Sequence, residues 1–317
     1  MPTSLAFVFP GQGSQEVGMG RDLAETFPAA RQVFEEADDI LGFSLSRLCW
    51  EGPVESLNDT INTQPAIFVT SLAALAALRA EGYATTPDFV AGHSLGEYSA
   101  YVAAGVLAFA DGLRLVRERG RLMREADLKA PGGMAAILRL TDEQVEEVCR
   151  QVSAGDGQWV QVANYNAPGQ VVISGETRGI DKAIEAAKAA GARRAVKLAV
   201  SIAAHSRLMA PIAADFRAAI DAAALNAPAV PVVANITARP LASLDAIREE
   251  MTGQLTSSVR WTQSVQYMIG RGVTHFVEIG PKDVLTGLLR RISKEVQGYA
   301  VNDVGSVLKL TKDSAPA

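Results

Sequence analysis

The sequence predicts an α/β protein in which a small β-α-β-β-α-β unit is inserted into a larger α/β body. Three observations predict it. The stretch Val90-Ala91-Gly92-His93-Ser94-Leu95-Gly96 sets Gly-x-Ser-x-Gly between a short apolar run and a small-residue stretch compatible with a helix. That context is a nucleophile elbow, a sharp strand-to-helix turn that exposes a serine hydroxyl beside a backbone N–H able to bind an oxyanion. Residues 132–200 show strand and helix patterns in the order of the ferredoxin-like split motif. Further strand and helix patterns flank them, so 1–128 and 200–310 are expected to form the body, 129–199 the insertion, and 311–317 a disordered tail.

Composition narrows the class. The chain has 317 residues, 48% of them hydrophobic and 21% charged, the make-up of an ordinary globular protein. A net charge of −5 argues against a nucleic-acid partner. No apolar run is expected to reach the roughly 20 residues that span a bilayer. Met1–Ser4 runs straight into a strand pattern without a basic or cleavable leader, which reads as untargeted and cytoplasmic. Cys49 and Cys149 have neither metal nor redox spacing and are expected to be reduced and packed.

In chain order, Leu5–Phe9 reads as a buried strand followed by Pro10-Gly11-Gln12-Gly13-Ser14-Gln15. Either this loop places N–H groups at a site or it is a plain tight turn; with only two glycines at the spacing, it is not a dinucleotide fingerprint. Arg21–Leu41 reads as helical, and Gln64-Pro65 as the opening of an apolar helix through Leu78. After Gly105, Asp111 is the expected N-cap of a helix to about Asp127. Leu115, Val116, Leu122, Met123 and Ala126 define its inward stripe. Arg114, Arg117, Arg121 and Arg124 fall off that stripe and are expected to be solvated, whereas Arg119 falls on it. A guanidinium facing inward needs an anion, because an unpaired buried charge costs several kcal/mol. A core carboxylate, or a stem that snorkels to water, satisfies that need as well as a ligand does.

In the inserted unit, Gly133–Leu140, Val160–Tyr165, Gln170–Ser174 and Ala195–Val200 read as strands. Thr141-x-x-Gln144 is a capping box opening a helix to about Val152, and Gly179–Ala190 is the second helix. Beyond it, Ser201–Ser206 is a loop leading into an apolar helix that Pro211 interrupts. Pro231–Asn235 and Thr274–Ile279 read as short strands, and Lys282–Ile292 as a helix.

A serine hydroxyl needs a base to take its proton. His93 adjoins Ser94 in a turn that directs the two side chains apart, and His275 lies in a strand pattern. His205, at a loop-to-helix junction in a run of small residues, is the remaining candidate. A helix N-terminus there would favour the neutral imidazole that a base must be. Spacing picks no acid for a triad. In the α/β-hydrolase order the histidine comes last, near the C-terminus, so the position of His205 does not suit a plain esterase.

Phe9-Pro10-Gly11-Gln12-Gly13-Ser14-Gln15, Gly92-His93-Ser94-Leu95-Gly96-Glu97, Arg119-Gly120, Asn164-Tyr165-Asn166-Ala167-Pro168-Gly169-Gln170 and Glu278-Ile279-Gly280-Pro281 together resemble the malonyl-CoA:acyl carrier protein transacylases, from the first strand to about Leu289. The resemblance implies an α/β-hydrolase-like body with an inserted ferredoxin-like subdomain and the active site in the cleft between them. It implies that Ser94 attacks the malonyl thioester and that His205 is general base, then general acid. It also implies an oxyanion hole from the N–H groups of Gln12 and Leu95, a carboxylate clamp at Arg119, and an oxygen of Gln254 that orients the histidine. The implied partners are malonyl-CoA and holo acyl carrier protein, in fatty acid or polyketide synthesis, with neither cofactor nor metal. Arg193, Arg194, Arg290 and Arg291 are candidates for docking the acidic carrier. Ile202-Ala203-Ala204 departs from the bulkier or proline-bearing versions in strict malonyl enzymes and suggests tolerance of substituted malonyl groups. Two other classes share these residues: a serine hydrolase that edits acyl carrier proteins, and a non-catalytic acyl-binding module.

Overall fold

The computed structural model describes residues 4–155, 158–198 and 202–313. Strand β1 (Leu5–Phe9) leads through α1 (Arg21–Thr26), α2 (Pro28–Leu41), α3 (Leu45–Glu51), α4 (Val54–Asn58) and α5 (Thr60–Ala80) to β2 (Phe89–Gly92), α6 (Gly96–Ala103) and α7 (Phe109–Lys129). Next come β3 (Gly132–Leu138), α8 (Asp142–Ala154), β4 (Val160–Ala167), β5 (Gln170–Glu176), α9 (Thr177–Ala189) and β6 (Arg194–Lys197). A 3₁₀ segment, Arg207–Ile212, precedes α10 (Ala213–Ala222), β7 (Val232–Val233), α11 (Leu244–Gly253), α12 (Trp261–Gly270), β8 (His275–Ile279), α13 (Val284–Ile292), β9 (Gln297–Val301) and α14 (Val304–Asp313).

The chain is α/β and divides into two compact units: residues 1–120, 223–233 and 268–317 form one, residues 121–222 and 234–267 the other. The first carries a parallel sheet of order β7-β2-β1-β8-β9. Its first strand lies centrally, with β2 on one side and β8 on the other. Such a switch point leaves a crevice at the carboxyl ends of the strands, where ligands bind in open α/β sheets. The register pairs Phe9 with Gly92, so the loop after β1 and the elbow after β2 emerge side by side.

The second unit carries an antiparallel sheet of order β4-β5-β3-β6, covered by α8 and α9. Val145, Val148, Ile180 and Ile184 from the helices pack on Ile137, Val162, Val171 and Ile173 from the strands. Thr141 and Gln144 form the expected reciprocal cap of α8. This unit is wider than the span 129–199, and residues 256–262 within it are tied to the outer edge of β4. The Val259 N–H donates to Ala163 O (2.8 Å), the Tyr165 N–H to Val259 O (2.9 Å), and Ser258 Oγ to Val162 O (2.6 Å).

Prolines account for two departures from the expected helices. Arg21–Leu41 is two helices, with Pro28 opening the second at a position where its missing N–H is not needed. The apolar helix begins at Thr60, capped by Asp59, and runs through Pro65. Pro65 has no N–H for Ile61 O, and Arg117 Nη1 donates to that carbonyl instead at 2.7 Å. Arg117, with a second bond to Asn62 Oδ1 (2.7 Å), is therefore half-buried rather than solvated. Helix α5 is long and apolar enough to cross a bilayer, against expectation, and it is buried on nearly every side in the first unit. A helix apolar all round is either a core helix or a membrane span, and here it is a core helix.

Helix α7 starts at Phe109, which places Asp111 in the first turn rather than at the cap. Residues 311–313 continue α14, while 314–317 and the expected strand end at 199–200 lie outside the described residues. Cys49 and Cys149 are buried free thiols, and burial pushes Cys149 up to about 12.

Candidate active site

In the first unit the site is built on two adjacent turns. Gly92 and Gly96 are required by close approach: a Cβ on Gly92 would lie 1.9 Å from Gly96 C, and one on Gly96 2.1 Å from Phe9 O. The turn between them holds Ser94 at φ 53, a left-handed conformation that costs a non-glycine residue about 1–2 kcal/mol. Leu95 is the N-cap of α6, so its N–H is among those that a helix leaves without an intrahelical acceptor. The neighbouring loop closes on itself: Ser14 Oγ donates to Gly11 O (2.6 Å) and the Gly13 N–H to Gln15 Oε1 (2.7 Å). A Cβ on Gly11 would lie 2.3 Å from His93 O, so this loop abuts the elbow directly.

Arg119 is where its helical stripe predicts, 2% exposed. Its Nη2 lies 3.3 Å from Ser94 Oγ and its Nη1 donates to Gln64 Oε1 at 2.8 Å. The guanidinium carbon is 5.8 Å from the centroid of the Tyr98 ring. Burial pulls its pKa down, and the neighbouring Tyr98 and Glu97 oppose that; a guanidinium keeps its proton in a protein. Gly120 explains the Arg-Gly pair: a Cβ there would lie 2.7 Å from Thr60 O, so glycine lets α7 meet the start of α5. From Arg119 a chain of side chains continues outward. Gln64 Nε2 donates to Thr60 Oγ1 (3.1 Å), whose hydroxyl donates to Gln12 Oε1 (3.0 Å). The structure thus brings Ser94, Arg119, Leu95 and Gln12 together in one unit.

His205 and Gln254 come together in the other unit. His205 is 3% exposed and held at φ 57, just before the 3₁₀ segment that Ser206 caps. Its Nδ1 faces Gln254 O at 2.8 Å and Ser257 O at 3.2 Å. Both neighbours are acceptors, so Nδ1 carries a proton, which in the neutral ring leaves the lone pair on Nε2. His205 thus precedes the N-terminus of the 3₁₀ segment, and its Nδ1 meets main-chain oxygens just beyond the C-terminus of α11. Carbonyls there stabilise the imidazolium once it forms.

The other histidines are placed elsewhere. His275 lies on β8, stacked on Tyr299 at 6.0 Å between ring centroids. His93 is in the elbow, its N–H on Phe9 O. Among the described residues no cluster of His, Cys, Asp and Glu could hold a metal. Arg193 and Arg194 are exposed on and beside β6, and Arg290 and Arg291 are exposed in the last turn of α13. Gln64 and Thr60 were not singled out by the sequence; a glutamine beside a proline in an apolar helix is their only signal.

Comparison with known proteins follows the same geometry. A family model described as an acyl transferase domain matches residues 6–314. Relatives named malonyl CoA-acyl carrier protein transacylase, from Bacillus subtilis strain 168 and Escherichia coli K12, are each 46% identical over 95% of this chain, covering 94% and 96% of their own lengths. A solved structure described as a type II PKS acyl-carrier protein in complex with its malonyl-transacylase superposes with a TM-score of 0.95 at 43% identity, over 98% of this chain and all of that one. An acyl carrier protein S-malonyltransferase from Vibrio cholerae gives 0.93 at 42% identity, over 97% of this chain and all of that one. Fold, elbow and sequence agree: the chain belongs to the malonyl-CoA:acyl carrier protein transacylase family of acyltransferases.

Proposed function

We propose that this chain transfers a malonyl group from malonyl-CoA to the phosphopantetheine thiol of an acyl carrier protein through a malonyl ester on Ser94. The observation that carries it is the buried guanidinium of Arg119, 3.3 Å from Ser94 Oγ, a cation beside the nucleophile. Ser94 Oγ attacks the thioester carbonyl carbon and its proton passes to His205 Nε2. The N–H groups of Gln12 and Leu95 take the negative charge on the carbonyl oxygen, a contribution for which losing one donor costs about 10²–10³ in rate. The C–S bond breaks, and the imidazolium returns its proton to the departing CoA sulfur. The carrier thiol then attacks the ester with the same groups in reverse, giving up its proton to His205 and leaving Ser94 protonated.

Through both steps Arg119 holds the free malonyl carboxylate by two parallel N–H···O bonds. A neutral acyl chain brings no carboxylate to the guanidinium and so forgoes that charge-assisted pair in a desolvated setting, and this difference is what selects a dicarboxylic acyl group. The relatives' names support the substrate and the acceptor. Arg193, Arg194, Arg290 and Arg291 are proposed as basic contacts for the acidic carrier, and a cytoplasmic location belongs to the same reading.

Intact-mass spectrometry after incubation with malonyl-CoA tests it. Wild type gains one malonyl group and Ser94→Ala gains none. An adduct on Ser94→Ala, or release of free malonate faster than transfer to the carrier, refutes the proposal; the second outcome marks a hydrolase.

A further inference from the structure

We infer that Gln161 is a positioning residue for the His205 imidazole, a proposal that rests on His205 being the base. Gln161 lies on β4, half-buried, and its amide makes four hydrogen bonds. Nε2 donates to the main-chain oxygens of His205 (3.0 Å) and Thr256 (3.1 Å). Oε1 accepts from Trp159 Nε1 (3.0 Å) and from the Arg207 N–H (3.2 Å). Two carbonyls face the nitrogen and two N–H groups face the oxygen, so only one orientation of the amide satisfies all four.

This one side chain joins three segments. It fixes the turn at residues 205–207 and the segment at residues 254–257 to the start of β4. The second of these supplies both carbonyls that hold Nδ1, from Gln254 and Ser257. His205 itself is at φ 57, a conformation that persists only where its surroundings hold it, and its own carbonyl is the one Gln161 takes. The anchor is braced in turn: the Arg207 guanidinium lies 4.0 Å from the Trp159 ring centroid and 3.9 Å from Glu176. Gln161 thus sets where the imidazole stands relative to its two acceptors. It acts through main-chain atoms, and a 1 Å misplacement of a catalytic group can cost about 10²-fold in rate.

Two substitutions in the full-length chain separate the possibilities. Gln161→Met keeps the length and removes all four bonds; Gln161→Glu keeps the shape and turns both donor positions into acceptors facing carbonyls. Steady-state malonyl transfer is measured for both, with His205→Ala in parallel. Nitrogen-15 NMR of histidine-labelled protein reads the His205 tautomer without reference to activity. The expected result is a kcat about 10- to 100-fold lower in both variants, with KM for malonyl-CoA within threefold of wild type. Gln161→Glu should be the worse, and both should show a mixture of imidazole tautomers in place of Nδ1–H alone. Either variant keeping more than half of the wild-type kcat, or keeping the Nδ1–H tautomer undisturbed, overturns the inference. Should His205→Ala retain transfer, the assignment of the base falls instead, and the tautomer alone then decides the role of Gln161.

Discussion

Replacing Gln64 by glutamate should turn a malonyl-selective site toward neutral acyl groups. Gln64 Oε1 accepts from Arg119 Nη1 at 2.8 Å, and the guanidinium is 2% exposed. A carboxylate there sets a full negative charge about 4 Å from the guanidinium carbon, worth about 4 kcal/mol at an effective dielectric constant of about 20. The malonyl carboxylate would then meet a guanidinium with a carboxylate in place of the neutral amide at Nη1, added to the field that Glu97 already exerts. That figure corresponds to about 10³ in an equilibrium constant, and desolvation of the new carboxylate offsets part of it. The expectation is a loss of at least about 10²-fold in kcat/KM for malonyl-CoA, with acetyl-CoA changed by less than about tenfold. Both are read from acyl-enzyme formation by rapid quench and intact mass, with Arg119→Ala as reference. A malonyl-to-acetyl ratio equal to wild type in Gln64→Glu would refute the electrostatic account of selectivity.

Three further outcomes are expected. Gly120→Ala places a Cβ 2.7 Å from Thr60 O and 2.9 Å from Ile61 Cα. It should destabilise the protein by about 1–3 kcal/mol in urea unfolding and lower malonyl loading more than acetyl loading, because Arg119 moves with the helix. Burial pushes Glu278 up to about 7, above the 4.5 of an ordinary glutamate, although its carboxylate accepts from the Leu285 and Thr286 N–H groups. The folded state then binds more protons than the unfolded one between these values, so stability falls as pH rises through that window, by about 3 kcal/mol for this group. Glu278→Gln should flatten that slope, and parallel unfolding-energy profiles from pH 4.5 to 8 would refute it. Finally, with Ala203 and Ala204 before His205, kcat/KM for malonyl-CoA should exceed that for methylmalonyl-CoA by less than about 10³; a larger ratio would show a closed pocket.

What was legible in the sequence follows from which interactions are local. The elbow, the capping box at Thr141 and the inward stripe of α7 are set within a few residues, and the structure shows each of them. The βαββαβ order was readable because its periods alternate cleanly over 132–198, and the strands pair as that motif requires. Long-range main-chain contacts leave no such mark. The bridge from Ala163 and Tyr165 to Val259 ties a distant segment to the second unit's sheet, and no periodicity announces it. Arg117 was misread for the same reason: its place off the stripe is right, but the carbonyl freed by Pro65 lies 56 residues away in sequence. At the site, Ser94 and Arg119 stand out from spacing and His205 from elimination. Gln161 stayed silent because a glutamine in a strand pattern looks like any solvent-facing polar residue.

The imidazole of His205 leans on oxygens that every amino acid possesses. No substitution at 254 or 257 deletes those acceptors by changing a side chain, so evolution cannot tune this proton's home through the identities found there, only by bending the path of the chain. A base oriented in this way is inherited with the fold. Residue-by-residue comparison of the two positions is therefore blind to whether it is present.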